Sequence, residues 1–492
     1  YYIHFMGRKS IFALGEFQGA EEQIKAVQSL VDELYIPADK LRKLSANLVK
    51  QMEEGLQKND SSVPMLPSWI TAHPTGQETG EYLALDLSGT SIRIYLVTLH
   101  GQGRVTTRQQ KYNIHDDIRK SNISKIVDFL AECVDSFLTF IGRSHMTEPM
   151  ALGFVVSFPL QQTAMNKGTI IRWTKDFDVK GAEGKDMAEL LQVGLNKKSI
   201  PVHVKAIING AVGLLLAHNY RSLDTLLACT VSRGTNAAYW EKVSDIPKLA
   251  KPEAKKPVKG DDTDINMSKL ELSEPSQGDE MIINTEWGSF GDDHADLLPL
   301  TMYDNRVNRE STNPGIHSLE KMVSGLYLGE IVRNILLDLL DRRLIFSGHY
   351  SIDMNMPYNF ESSYMSAIES DDSEDLEDTK HILETIMNIE HTSLTDRQIT
   401  KKICALVGQR AARIIAAAMS AVIYKRNALE TGLTISVEGT IYEHYPEFPN
   451  RVNEALRELF GEKVDRINIG ITRDGNGIGA ALAAMLAHTK QA

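Results

Sequence analysis

Apolar residues repeat with a helical period across Asp39–Glu54, where Leu41, Leu44, Leu48 and Met52 fall three or four positions apart and Gly55 reads as the stop. The periodicity then dissolves. Residues 61–80 are rich in Pro, Ser, Thr and Gly and read as a connector. Beyond it, EYLALDLSGTSIRIYLVTL gives two apolar strands about a Gly-Thr turn, and LLACTVSRGTNAAYW gives a second unit of the same kind. Two such units predict an internal duplication. The segment from Ile399 to Lys425 is apolar and Ala-rich over a helical length, and its most apolar part, Ile414–Tyr424, is flanked by Arg413 and Lys425 as in a buried helix. The chain closes on INIGIT, DGNGIG and AALAAMLAH, read as strand, Gly-rich turn and helix. Two polar stretches interrupt the pattern. KPEAKKPVKGDDTD, between Glu241 and Gln277, reads as an exposed excursion, and the acidic run Glu369–Asp378 as solvated surface.

Composition narrows the class of protein. The 492 residues suffice for two domains of ordinary size, and 42% hydrophobic with 24% charged residues is a soluble globular balance. A net charge of −12 without a basic stripe argues against nucleic acid as a partner. Cys133, Cys229 and Cys404 are scattered without metal-ligand spacing, which suggests reduced, buried thiols in a cytoplasmic setting. No uninterrupted apolar run reaches the roughly 18 residues a bilayer span needs.

The closing G-x-G-x-G imitates a dinucleotide fingerprint, but that motif requires a following βαβ unit and an acidic residue about 20 positions on, and too little chain follows it. Its glycines are instead expected to let the backbone approach a nucleotide at a helix amino terminus. No G-x-x-x-x-G-K-[ST] loop is present.

The succession SFPLQQTAMNKGTIIRWTKDFD, then HVKAIINGAVGLLLAHNY, resembles the hexokinase family, where the matching segments carry "SFP", "WTKGF" and "NDTVG". PTGQETGEYLALDL, NTEWGSFGDD, NPGIHSLEKMVSGLYLGEIVR and VEGTIYEHYP extend the resemblance from about Asp39 to the end, and MLPSWITAHPTGQETGEYLALDL and the LEDT near Asp378 bring it nearest to fungal members. It implies an α/β, actin-like (ribonuclease H-like) two-lobed sugar kinase fold with a central cleft. On this reading, residues 1–75 pack on the large lobe, 76–222 form the small lobe, 223–466 form the large lobe, and 467–492 return to the small lobe. The amino end, YYIHFMGRKSIF, lacks an initiator Met and reads as a tail. Docking on the mitochondrial outer surface, which some hexokinases achieve through an apolar amino terminus, is the alternative to a cytoplasmic location.

The resemblance also assigns a site. Ser157, Thr174, Lys175, Asn209, Asn236, Glu286 and Glu320 match the hexose-binding set, with Pro159 in the same loop; Asp176 and Ile316-His317 replace the usual Gly and "QQ". Asp86, Gly89, Thr90, Gly234, Thr235, Gly439, Thr440, Gly475 and Gly477, with Gly479 beside them, match the nucleotide side. No metal site is expected beyond what Asp86 would offer through Mg-nucleotide. Three departures fall where chemistry should occur. Gly210 stands where the family has the Asp that takes the proton from the attacking sugar hydroxyl. Ser88 replaces a glycine of "DLGGTN", adding strain of about 1 kcal/mol if that turn needs glycine. Ser232-Arg233 replaces Gly-Thr of "GTGTN", and Arg233 is expected to obstruct the phosphates. A general base contributes about 100- to 10,000-fold. The expectation is therefore a non-catalytic, regulatory hexokinase-like protein of nutrient response, hexose-binding, holding Mg-ATP weakly, and acting through an unidentified protein partner. The alternatives are a residual or altered-specificity ATP-dependent hexose kinase, with Asp176 or Asp178 as substitute base, and a structural scaffold.

Overall fold

The computed structural model describes residues 19–89, 91–173, 177–182, 184–249 and 279–489. The amino-terminal tail, the stretch KPEAKKPVKGDDTD, and Thr90, Thr174, Lys175 and Asp176 lie outside them.

Two helices open the described chain, α1 (Glu21–Leu34) and α2 (Ala38–Gln57). Leu41, Leu44, Leu48 and Met52 are buried on one face of α2, as their spacing predicts. Gly55 does not stop this helix. It lies inside α2, where a Cβ would come 2.0 Å from the Val63 carbonyl oxygen, so glycine is required by the close passage of the chain.

The strands β1 (Leu66–Pro67), β2 (Thr79–Ser88), β3 (Ser91–His100) and β4 (Val105–Asn113) follow. After helix α3 (Ile123–Phe140) come β5 (Met150–Val156), a small hairpin of β6 (Leu160–Ala164) and β7 (Lys167–Ile170), helix α4 (Met187–Lys197), β8 (Val202–Asn209) and helix α5 (Gly210–Asn219). Strands β2 to β5 and β8 form a sheet of order β4-β3-β2-β5-β8. Its β2–β3–β4 part is antiparallel, and β5 and β8 run parallel to β2.

The second half repeats this plan with β9 (Thr225–Val231), β10 (Thr235–Lys242), β11 (Glu280–Asn284), helices α6 (Gly325–Asp341) and α7 (Leu394–Arg426), β12 (Leu433–Glu438), helix α8 (Phe448–Phe460), β13 (Ile467–Ile471) and helix α9 (Gly475–Thr489). Its sheet has the order β1-β11-β10-β9-β12-β13, again an antiparallel trio followed by two parallel strands. The two strand–turn–strand units of the sequence are β2–β3 and β9–β10. The architecture is the two-lobed, actin-like α/β fold.

The helix ending each half leaves its own sheet. α9 packs on β2, β5 and β8, whereas α5 packs on β9 and β10, and the two helices meet closely. At their crossing a Cβ on Gly479 would fall 1.9 Å from the Gly213 carbonyl oxygen. The return to the first sheet thus begins with α9 at Gly475 and not at residue 467, because β13 hydrogen-bonds to β12 and belongs to the second sheet. Three apolar clusters hold the molecule: one under the second sheet with α1, α2, α6 and α7, one between the first sheet and α3 and α4, and one between the sheets around α5 and α9.

α7 is the one described helix long and apolar enough to cross a membrane, and its apolar window is entirely buried within the protein. The three cysteines are buried and free. The acidic run is only partly solvated. Asp371 is buried and accepts 2.8 Å hydrogen bonds from the backbone amide and hydroxyl of Thr379, and Glu369 pairs with Arg451.

Candidate functional site

β8 ends at Asn209, whose side chain caps α5 by accepting from the Ala211 amide at 3.0 Å and donates to the Phe158 carbonyl at 3.2 Å. The second contact ties the helix start to the SFP loop, where Ser157 follows β5. From the other lobe, the Asn236 amide nitrogen on β10 lies 2.8 Å from Asn284 Oδ1, 3.1 Å from Glu286 Oε1 and 3.3 Å from Asn209 Oδ1. Its own oxygen accepts from the Glu286 backbone amide at 3.0 Å. Glu286 is held in a left-handed turn (φ 53°), and Asn284 donates to its carboxylate at 2.8 Å. Glu320 Oε2 accepts from the Thr235 amide at 2.9 Å. Asn209, Asn236, Glu286 and Glu320 thus come together in one polar patch where the lobes meet.

Three polar groups of this region carry no ligand-binding signal in the sequence. Asn284 orients Glu286. Asp292 accepts from the His317 and Ser318 amides at 2.9 and 2.8 Å and fixes the segment leading to Glu320. Arg172 crosses from the RW segment to His317, with Nη2 2.9 Å from Nε2. A guanidinium only donates, so Nε2 accepts and the ring proton sits on Nδ1, which faces Glu320 Oε1 at 3.5 Å. Burial, with Arg172 and Lys321 nearby, pushes the His317 pKa down to about 4, so the ring is neutral at pH 7.

On the nucleotide side, Asp86 is buried near the end of β2 opposite Arg93, and its Oδ2 accepts from Asn476 Nδ2 at 3.1 Å. Glu438, at the end of β12, is pushed up to about 7 by burial and by the charges of Asp86, Asp474 and Glu443. Among the described residues no cluster of His, Cys, Asp and Glu has metal-binding geometry.

Gly89 (φ 66°) faces open space, with nothing within 4 Å of where a Cβ would stand. Gly439 (φ 134°) occupies backbone that L side chains rarely adopt, and a Cβ there would come 2.3 Å from the Val231 carbonyl oxygen. Cβ atoms on Gly475, Gly477 and Gly479 would likewise strike Leu214, the Tyr95 ring and the Gly213 backbone, so these three glycines serve the packing of α9.

Two further expectations change. Ser88 causes no strain, because it pairs with Ser91 as ordinary extended strand while Gly89 takes the positive φ. Asp178 is exposed and lines a surface pocket with Asp116, Arg119, Lys120 and Phe177, so it does not stand in for a base at Gly210. Arg233 is exposed and forms no ion pair among the described residues; beside it, Ser232 Oγ lies 3.2 Å from Thr440 Oγ1.

Gly210 opens α5 with no side chain, and its nearest non-local neighbour is Asn476, whose Oδ1 would lie 3.1 Å from a Cβ at position 210. Two hexokinase family profiles match the chain, one over residues 26–220 and the other over 226–486. The chain belongs to the hexokinase family. It is 35% identical to a hexokinase of Kluyveromyces lactis over 96% of this chain and 93% of that one, and 34% identical to a glucokinase of Aspergillus niger over 92% and 95%. Among solved structures, a hexokinase from Schistosoma mansoni complexed with glucose superposes with a TM-score of 0.82 at 29% identity, covering 95% of this chain and 99% of that one. Within this hexokinase fold, Gly210 lies between Asn209, which bonds to Asn236 of the polar patch, and Asn476, which bonds to Asp86.

Proposed function

We propose that this hexokinase-family protein binds a hexose at Asn209, Asn236, Glu286 and Glu320, and that the missing carboxylate at position 210 leaves it without effective phosphoryl transfer. The observation that carries this reading is the contrast between a polar patch whose side chains are held by mutual hydrogen bonds and a bare Gly210 beside it. Several fixed donors and acceptors in one place suit a ligand with hydroxyls in fixed directions. The glucose complex of the Schistosoma relative supports a hexose as that ligand.

Mg-ATP is the nucleotide implied by the family, and the surviving residues fit it in part. Asp86 would hold it through magnesium, and the open turn at Gly89 and the Gly439–Thr440 segment would receive its phosphates. When bound, it would supply the phosphoryl group. What this chain lacks is the group that removes the hydroxyl proton. Such transfer depends mainly on positioning and charge stabilisation, so the missing base lowers turnover and the altered hairpin at Ser232-Arg233 lowers it further.

The names of the relatives and the retention of Asp86 favour a second reading, an ATP-dependent hexose kinase of altered efficiency or specificity. A coupled assay with Mg-ATP and glucose, mannose or N-acetylglucosamine separates the two. Turnover on the order of 10 per second, usual for enzymes, establishes the kinase; background rates together with calorimetric hexose binding establish the first reading. Binding without consumption would let a cytoplasmic protein of this kind report hexose levels to a protein partner, the regulatory role its fungal resemblance suggests.

A further inference from the structure

The geometry points to Asn476 as a ligand-contacting residue that takes the place of the lost carboxylate, binding the primary hydroxyl of the hexose through its amide oxygen. This rests on the hexose-binding reading above and names the group that meets the hydroxyl next to Gly210.

Three observations carry it. First, Asn476 stands in the first turn of α9, and its side chain reaches the space over the amino end of α5. Its Oδ1, Nδ2 and Cγ lie 3.1, 3.4 and 3.6 Å from where a Cβ of residue 210 would be. The amide therefore fills the volume that a side chain at position 210 would enter. Second, the orientation of the amide is set by its neighbour. Nδ2 lies 3.1 Å from Oδ2 of Asp86, a carboxylate that in its ionised form only accepts, so the amide must donate there. Oδ1 is then left on the side of Gly210. Third, Asn476 is half-buried, and its oxygen has no hydrogen-bond partner among the described residues, so it remains available to a ligand hydroxyl.

An amide oxygen accepts a hydrogen bond but does not take a proton from an alcohol. Asn476 at this place therefore holds the hydroxyl without activating it, which accounts for binding without turnover in one residue. It also couples positions 86, 210 and 476. Any side chain introduced at 210 must move the amide by a few tenths of an ångström and so disturb its bond to Asp86.

The test is calorimetric titration of the full chain with glucose and with 6-deoxyglucose, which lacks the primary hydroxyl. Wild-type protein should bind glucose about threefold to tenfold more tightly than the deoxy sugar, the effect of one hydrogen bond. Asn476→Ala should weaken glucose by a similar factor and leave the deoxy sugar unchanged. Gly210→Ala keeps Asn476 but displaces its amide, and should produce the same selective loss, which guards against misfolding of either variant alone. If Asn476→Ala and Gly210→Ala weaken both sugars equally, or neither, Asn476 does not touch that hydroxyl. If wild-type protein binds neither sugar, the hexose-binding reading itself has failed, and this inference with it.

Discussion

Oε2 of Glu320 accepts a 2.9 Å hydrogen bond from the backbone amide of Thr235. A carboxylate of the proposed hexose patch is thereby tied to the turn that the resemblance assigns to nucleotide phosphates. A Cβ at Gly234, the next residue back, would come 2.6 Å from the same oxygen. Gly234→Ala should therefore weaken hexose binding by about 1.5–3 kcal/mol, the range for a hydrogen bond to a charged group. Titration with glucose checks it, and unchanged affinity would remove Glu320 from the hexose patch.

Restoring the base alone should recover little. Gly210→Asp adds the carboxylate against Asn476 and leaves Ser232 and Arg233 in the turn. Combining it with Ser232→Gly and Arg233→Thr should raise kcat/KM for glucose well beyond the product of the separate effects, because a base acts only when the phosphoryl group is in line. Adding Ser88→Gly should contribute nothing further, since Ser88 is unstrained. A robust kinase from Gly210→Asp alone would show that the turn substitutions are harmless.

Mg-ATP affinity should follow the other half of the site. Asp86→Asn should reduce it, and the Ser232→Gly and Arg233→Thr pair should change it. Titration with a fluorescent ATP analogue in the presence and absence of magnesium reads both. Affinity unchanged by Asp86→Asn would remove that carboxylate from the nucleotide site.

His317 gives stability a pH dependence of definite sign. Its pKa is about 4 in the folded chain against 6.5 for the free side chain, so between these values the unfolded state binds the extra proton. The contribution is fully present above about pH 6.5 and is lost as pH falls towards 4, by about 3 kcal/mol in all. Glu438 runs the opposite way, because its raised pKa favours the folded state at low pH. The difference between wild-type protein and His317→Gln in chemical denaturation, taken across pH 4–7, isolates the histidine. A difference independent of pH would contradict a buried neutral ring.

Gly153 tests the seating of α9 on the first sheet. Its Cβ would come 2.0 Å from the Ala480 carbonyl oxygen, a backbone atom that cannot turn aside. Gly153→Ala should destabilise the protein by about 3 kcal/mol, the cost of overpacking a tight contact. Gly142→Ser, at a turn with nothing within 4 Å, should cost only about 1 kcal/mol from its positive φ. Denaturant unfolding compares the two.

Much of the protein was legible in the amino-acid sequence because the signals are local. The spacing of Leu41, Leu44, Leu48 and Met52 determines a helix with one buried face, and β2–β3 and β9–β10 declare themselves as apolar runs about turns. Gly210 announces a missing carboxylate without any coordinates, since glycine has no atoms to supply one. Other features depend on partners far away in the chain. Gly55 reads as a helix stop until Val63 is seen pressed against it, and the packing role of Gly475, Gly477 and Gly479 shows only once α5 and Tyr95 are found against them. The strain assigned to Ser88 disappeared because φ is set by strand pairing with Ser91 and not by residue type alone. Asn476 carried no signal beyond its place between two glycines. Only the crossing of α9 over α5 brings it to Gly210 and Asp86, 266 and 390 positions earlier in the chain, and that crossing is decided by packing between the two halves.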